Sequence, residues 1–489
     1  MVKKLLDNSY LWVKNFVGSK KFFHLILAVV VFQGLWYAFM YQPIIYDEGF
    51  HVKAIYFYVE HANPFNIGLQ ELKWDFLGDM SRNVSYVFYY LMSIPLRFIQ
   101  IFTTDYTTQV IGMRSIMVGF FIAGLIMYKK AMELAGFSKF ITNLAILFTV
   151  FLPYIAPLPG VINYDNVIFF LFAWGLYQSL VIVKSGKINF KDFALLIFIT
   201  FSAMLTKFNT ALALFTPILI YIVWSLYKNH KNKTLSLLID SFKNSSKIMK
   251  YFFITILLMQ TILIIERPVA NYVIYHNQTP KCETILTKDR CMTNYTYKRN
   301  VVFREAKPES WRPIDIWSYF STWWLTDMIK TSISMPGKSS MPLVKLIYYA
   351  LGLSGIVLIL INLKDLLKSK YIKMLIVGCL FFCTALFLEN YRAYASLGQP
   401  VAMSGRYLLP YIPVFGALAV KSCADIFSDK IKKFMLSLTL LVILILITQG
   451  GGISTLILSQ DTYWSNEISN NISLRAKSLL RPLIIENFP

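Results

Sequence analysis

The chain has 489 residues, of which 56% are hydrophobic and 16% are aromatic, and its mean hydropathy is +0.53. A soluble globular protein could not bury that much apolar surface, so the composition excludes this class and indicates an integral membrane protein. The net charge of +22 lies mainly in short loops between apolar runs. The positive-inside rule produces this pattern, so the charge gives no reason to expect nucleic acid as a partner.

The first apolar run covers residues 22–41 and follows Lys14, Lys20 and Lys21. It is long enough to span a bilayer and lacks a small-residue cleavage site, so we expect an uncleaved helix with a cytoplasmic N-terminus. The same rules of length and hydropathy predict ten further spans, about eleven in all. They cover residues 109–128, 140–157, 167–183, 190–206, 210–227, 251–266, 342–363, 374–389, 407–424 and 434–456.

One further apolar run, 84–102, is expected to lie at the outer membrane interface. If it crossed the bilayer, the loop containing Lys129, Lys130 and Lys139 would lie outside the cell, against the positive-inside rule. The run also contains Pro95 and several tyrosines, which suit an interfacial helix better than a spanning one.

This topology gives two transmembrane modules, 1–227 and 251–456, joined by a cytoplasmic loop, 228–250. Three larger segments then lie outside the cytoplasm. They are the first outer segment, 42–108, the second outer segment, 267–341, and a C-terminal tail, 457–489.

The cysteines divide according to this topology. Cys282 and Cys291 both lie in the second outer segment, where an oxidising compartment would allow them to form a disulfide. Cys379, Cys383 and Cys423 lie in predicted spans and are expected to be packing residues.

Adjacent carboxylates, Asp47 and Glu48, follow the first span and are themselves followed by His51. Charges at the end of an apolar helix are costly unless they face water or a partner, and simple solvation of a helix end is one interpretation. In the functional interpretation, one carboxylate is a general base, and the other carboxylate and His51 orient either this base or the substrate. All three side chains are metal-ligand types, although their spacing matches no metal motif.

Three other polar groups lie at the outer ends of predicted spans. Asp165 and Asn166 open one span and either cap its helix or cooperate with Asp47. Lys207 interrupts an apolar stretch of the chain and either snorkels from a helix end or meets a bound anion. Arg406 opens a later span, and a guanidinium is well suited to forked recognition of phosphate.

These motifs resemble those of the GT-C superfamily of polytopic glycosyltransferases. The resemblance lies in the Asp-Glu after the first helix, the Asn-Tyr-Asp at residues 163–165, the Leu-Thr-Lys at 205–207 and the Gly-Arg-Tyr-Leu-Leu-Pro at 405–410. Within the superfamily, the chain is similar to bacterial relatives of the protein O-mannosyltransferases and of the lipid A aminoarabinose transferase. The similarity covers the order of motifs and helices across residues 22–424.

The resemblance implies an all-α, GT-C-type bundle and a polyprenyl-phosphate-linked sugar donor. It also implies that Asp47 is the catalytic base with Glu48 beside it, and that Asp165 contacts the acceptor or a metal. Lys207 and Arg406 match basic positions at the donor-phosphate end. We expect His51, Asp165, Asn166 and Tyr407 to line the substrate site. The family's bacterial relatives often carry a proline where this chain has Gly49, so the local turn differs.

The sequence thus predicts a transferase of the cell (plasma or inner) membrane whose active site faces away from the cytoplasm. Attack by an acceptor hydroxyl on the anomeric carbon would invert that centre, with the acceptor being a glycan, a lipid or a protein. The sequence indicates no definite cofactor, and a divalent cation held by Asp47 and Asp165 stays open. Two other functions stay open: a transporter or flippase of lipid-linked sugars, and a non-catalytic subunit for polysaccharide assembly.

Overall fold

A computed structural model describes residues 11–40, 47–61, 63, 65, 84–333, 342–427, 471–472, 474–479 and 482. This part of the chain contains helices and no strands. The α-helices are α1 Lys20–Met40, α2 Glu48–Glu60, α3 Tyr86–Gln100, α4 Tyr106–Leu134, α5 Lys139–Val150, α6 Tyr164–Ser185, α7 Phe190–His230, α8 Thr234–Asn244 and α9 Lys247–Tyr275. They continue with α10 Cys282–Ile285, α11 Lys288–Thr293, α12 Tyr295–Glu305, α13 Ile316–Ser318, α14 Leu325–Ile333, α15 Pro342–Ile361, α16 Leu363–Leu366, α17 Lys370–Leu397 and α18 Ile412–Ile426.

Seven helical segments in the described residues are long and apolar enough to cross a membrane, as expected of an all-α, multi-pass membrane protein. They contain eight of the predicted spans, because α7 holds two of them. The predicted spans 140–157 and 342–363 correspond to α5 and α15, which are not among the seven. The predicted span 434–456 lies outside the described residues, so the number eleven stays a prediction.

The helix α7 reverses direction at Lys207, whose φ of −154° and ψ of 85° are not helical. Ile199 and Phe215 lie on opposite sides of this break, yet both lie against Gly175 of α6. In a straight helix these two residues would be about 24 Å apart. The two arms of α7 therefore run antiparallel, as the two separate spans expected from hydropathy require.

One continuous hydrophobic core runs from Phe23 to Leu418 and includes residues of both predicted modules. The ring of Tyr411 packs against Phe172, with 4.9 Å between the ring centroids, and the Tyr128 hydroxyl donates to the Pro410 carbonyl. The loop 228–250 therefore separates the modules along the chain but does not separate their packing. This loop is itself helical, because it contains α8 and the start of α9.

One end of the bundle, which we call the lysine-rich end, gathers the loops that the sequence assigns to the cytoplasm. There the Asn143 amide donates to the Val17 carbonyl at 2.6 Å, which joins the starts of α1 and α5. His230, at the end of α7, donates from Nε2 to the Gly186 carbonyl at 2.6 Å, and Lys370 Nζ lies 3.4 Å from the Val183 carbonyl. Lysines expected on one side of a membrane are thus brought to one end of the molecule.

The opposite end, which we call the site end, is organised by a close contact between α1 and the turn before α6. A side chain at Gly160 would collide with Tyr37 and Ala38 of α1, so a glycine is required there. The Asn163 side chain then accepts a 2.8 Å hydrogen bond from the Asp165 amide and starts α6. The first turn of α6 is therefore fixed next to the end of α1.

Apart from the end of α9, the helices of both outer segments are short where they are described. In the first, α3 is only 15 residues, about 22 Å, and is not among the candidate spans, which suits an interfacial position. In the second, α9 continues to Tyr275, well past the predicted span end at 266, and a disulfide joins Cys282 and Cys291 with Cα atoms 6.0 Å apart. Residues 66–83, 334–341 and most of the tail lie outside the described residues.

Candidate active site

Four charged side chains from distant parts of the chain meet at the site end, and we call them the charge cluster. Arg406 Nη2 lies 2.8 Å from Asp47 Oδ2, and Lys207 Nζ lies 2.7 Å from Asp165 Oδ1. The two pairs are connected because Arg406 Nε lies 3.7 Å from Asp165 Oδ2. The cluster therefore contains two carboxylates and two cations in one network.

Arg406 is held by a short 3₁₀ helix, Gly405–Tyr411, that precedes α18. The Gly405 amide donates to Thr331 Oγ1 of α14 at 2.7 Å, and a side chain at Gly405 would collide with the backbone at Met328 and Ser332. This close approach requires glycine. The second outer segment, whose role the sequence left open, therefore supports the turn that carries Arg406.

Lys207 reaches the cluster because α7 breaks at this residue. Its ammonium group lies 4.5 Å from the ring centre of Tyr164 and 5.0 Å from that of Tyr407. Both rings present an electron-rich face to the cation. Because Asp165 accepts its hydrogen bond, Lys207 is fixed in the site and does not snorkel away from it.

Asp47 is the exposed member of the cluster. Its side chain is 70% exposed, whereas that of Arg406 is 8% exposed. Its backbone lies in the left-handed region, with φ 64° and ψ 16°, which is uncommon for a residue other than glycine. Such a conformation persists only where the surroundings hold it, and it directs this carboxylate towards Arg406.

Glu48 is adjacent to Asp47 in the chain but points away from the charge cluster. Its two carboxylate oxygens accept hydrogen bonds from Arg114 Nε at 2.7 Å and Nη2 at 2.6 Å, and the Ile162 amide adds a third at 2.9 Å. Arg114 also donates to the Ala38 carbonyl. This fully buried pair ties together α1, α2, α4 and the turn before α6, so its role in this structure is to hold the site together.

His51 lies behind the cluster, almost completely buried. Its Nδ1 is 3.0 Å from the Tyr89 hydroxyl, and its ring meets Tyr164 edge-on at 4.6 Å. Burial lowers the pKa of His51 to about 3, even though Asp165 and Asp47 favour the charged form. The imidazole is therefore neutral at physiological pH.

The remaining predicted substrate residues differ in their placement. Tyr407 borders the cluster, with its ring near both cations. The Asn166 amide instead donates to the carbonyls of Leu158 and Val161, at 2.9 and 3.0 Å, and braces the turn before α6. Asn166 thus supports the position of Asp165 and does not face the cluster.

With the two ion pairs in place, the residues of this cluster do not by themselves form a site for a divalent cation. The nearest oxygens of Asp47 and Asp165 both face Arg406, so a metal between them would lie beside a guanidinium and an ammonium group. A Zn²⁺ or Ca²⁺ site built from protein side chains usually supplies three or more ligands. In the part of the chain that the structure describes, no group of three His, Cys, Asp or Glu side chains could do so.

Arg114, Tyr89 and Thr331 contribute to the site but were not singled out in the sequence. The sequence could have indicated Arg114, because an arginine inside a predicted span needs a buried partner or a polar cavity. Tyr89 and Thr331 carried no such signal, since hydroxyl-bearing residues are frequent in both outer segments.

Comparisons of the chain with protein-family models, with curated proteins and with solved structures find no match.

Proposed function

We propose that this chain is a membrane glycosyltransferase that moves a sugar from a polyprenyl-phosphate donor to a hydroxyl of a glycan, lipid or protein acceptor. The observation that carries the proposal is the convergence of Asp47, Asp165, Lys207 and Arg406 in one network. A transferase of this kind needs a carboxylate near the attacking hydroxyl and cations near the departing phosphate. The charge cluster contains both within a few ångströms.

In this mechanism Asp47 is the general base, because it is the carboxylate that solvent and an acceptor can reach. Asp165 positions the acceptor, since its buried Oδ2 accepts no hydrogen bond from the described residues. Arg406 and Lys207 stabilise the charge that develops on the leaving phosphate. Displacement on the face opposite the phosphate inverts the anomeric centre. Glu48 takes no chemical step and holds the site together through Arg114.

The proposal includes a GT-C-type bundle of about eleven spans in the cell membrane, with the site end facing away from the cytoplasm. The lysine-rich loops lie at the other end, which the positive-inside rule assigns to the cytoplasm. The disulfide between Cys282 and Cys291 suits an oxidising compartment. The charges gather at one end of the bundle, whereas transporters usually place their binding residues near the bilayer midplane.

The test compares cells carrying the active protein with cells carrying Asp47→Asn, using mass spectrometry of surface glycans and lipid-linked intermediates. We expect the variant to lack one sugar on the acceptor and to accumulate the lipid-linked donor. Asp289→Asn, which removes the same charge from an exposed position in the second outer segment, is the matched control and should transfer normally. Unchanged glycans in the Asp47→Asn strain, with the protein present in the membrane, would refute the proposal.

A further inference from the structure

The pair formed by Asp47 and Arg406 leads to a statement about the order of events at this site. We infer that the donor phosphate displaces Asp47 from Arg406, so that the base becomes available only after the donor has bound. This inference rests on the proposed function and adds a binding order to it. Without the donor, one oxygen of Asp47 is occupied by the guanidinium and its charge is neutralised.

The two ion pairs of the charge cluster differ in how easily an incoming anion can displace the carboxylate from its cation. Lys207 and Asp165 are both largely buried, with side-chain exposures of 18% and 9%. Asp47 is 70% exposed, and exposed ion pairs contribute little free energy because water screens them. A phosphate group entering the site therefore replaces Asp47 and leaves the pair of Lys207 and Asp165 in place.

Arg406 keeps its position when Asp47 leaves. Its side chain is buried, it lies near Asp165, and its turn is fixed through Gly405 and Thr331. The guanidinium can then direct two parallel N–H groups at phosphate oxygens, an arrangement that a planar guanidinium favours. Asp47, no longer paired, can rotate towards the acceptor through the solvent-exposed side that it already occupies.

The transfer step is consistent with this exchange of partners. The acceptor oxygen forms a bond to the anomeric carbon while its proton passes to Asp47. The bond between the anomeric carbon and the phosphate oxygen breaks, and its electron pair leaves with the polyprenyl phosphate. The phosphate thereby gains one negative charge and Asp47 loses one. Arg406 then prefers the product phosphate until this lipid departs and Asp47 releases its proton, after which the resting pair forms again.

The experiment measures the equilibrium binding of a short-chain polyprenyl phosphate, without sugar, to the full-length protein in detergent. If Asp47 competes with the phosphate for Arg406, Asp47→Asn should bind this lipid about fivefold more tightly than the wild type, the gain expected from removing an exposed ion pair. Asp289→Asn removes the same charge far from the cluster and should leave the affinity unchanged. Arg406→Gln should weaken binding at least tenfold.

The possible results separate the inference from the function on which it rests. In the first case, Arg406→Gln loses affinity for the lipid, whereas Asp47→Asn and a second variant, Asp47→Ser, bind it as the wild type does or more weakly. This result overturns the binding order and leaves the proposed function standing. If Arg406→Gln and Lys207→Gln both bind normally, the phosphate role fails and the proposed function fails with it. Thermal melting of each variant identifies any that do not fold.

Discussion

Asp47 and Glu48 are neighbours in the chain, yet they lie in opposite surroundings. Asp47 is exposed and faces Arg406, whereas Glu48 is fully buried against Arg114. The sequence could predict that this pair of carboxylates mattered, because charges after a spanning helix need a reason. It could not predict which carboxylate faces the site, because that depends on the backbone angle at Asp47 and on a partner in α4.

Glu48→Gln should destabilise the protein by about 3–5 kcal/mol, because it removes the carboxylate charge that pairs with the buried Arg114. Thermal or denaturant unfolding in detergent measures the change. Asp365→Asn is the control, since Asp365 forms an exposed pair with Lys368 and its loss should cost less than about 1 kcal/mol. A Glu48→Gln protein of normal stability without transferase activity would instead give Glu48 a chemical role.

His51 makes stability depend on pH. The unfolded chain binds a proton at this imidazole below about pH 6.5, whereas the folded chain does so only near pH 3. Stability should therefore fall as the pH drops from 6.5 to 5, with a slope that approaches about 1.4 kcal/mol per pH unit. His51→Asn should flatten this slope in unfolding experiments, while His24→Asn, at an exposed position of α1, should keep it. Equal slopes in both variants would contradict the expectation.

At the scale of elements, the arms of α7 carry Lys207 into the site, and Gly175 lies where both arms meet α6. Gly175→Ala should destabilise the protein by about 1–3 kcal/mol, because the new methyl group overlaps the ring of Phe215. Gly119→Ala on α4 is the matched control, since nothing lies within 4 Å of its added methyl group. It should be neutral or stabilising by up to about 1 kcal/mol. If both variants melt alike, the close packing of Phe215 against Gly175 is wrong.

Hydropathy predicted the long apolar helices, and ten of the expected spans fall on helices of the structure. It predicted the interruption at Lys207 because charge breaks the apolar run there. It missed the extension of α9 to Tyr275 and the helix α8, because amphipathic and polar helices leave a weak signal in an average over many residues. The contact of α14 with Gly405 depends on packing between distant elements, which a local pattern does not contain.

At the scale of the whole molecule, the all-helical, multi-pass class follows from composition and agrees with the seven candidate spans. The order of charged motifs identified the members of the charge cluster, but only packing could bring Arg406 next to Asp47. Interhelical distances of this kind depend on side-chain shapes and on glycines such as Gly160 and Gly405. Neither property appears in a profile of hydropathy.

The orientation of the molecule is testable with a membrane-impermeant maleimide on intact cells. Trp317→Cys, at an exposed position of the second outer segment, should be labelled without opening the membrane. Lys368→Cys, in an exposed loop at the lysine-rich end, should be labelled only after the membrane is opened. The wild type reports the background from its own cysteines. The reverse pattern of labelling would place the site end in the cytoplasm.

The spread of the charge cluster along the chain has a consequence for biosynthesis. Its members stand at positions 47, 165, 207 and 406, so a nascent polypeptide acquires the last cation only after most of its helices have been inserted. A ribosome that stops after α9 would release a membrane-embedded fragment with three of the four charges and an incomplete centre. The complete charge cluster would therefore form only late in translation, and premature termination would produce fragments that lack it.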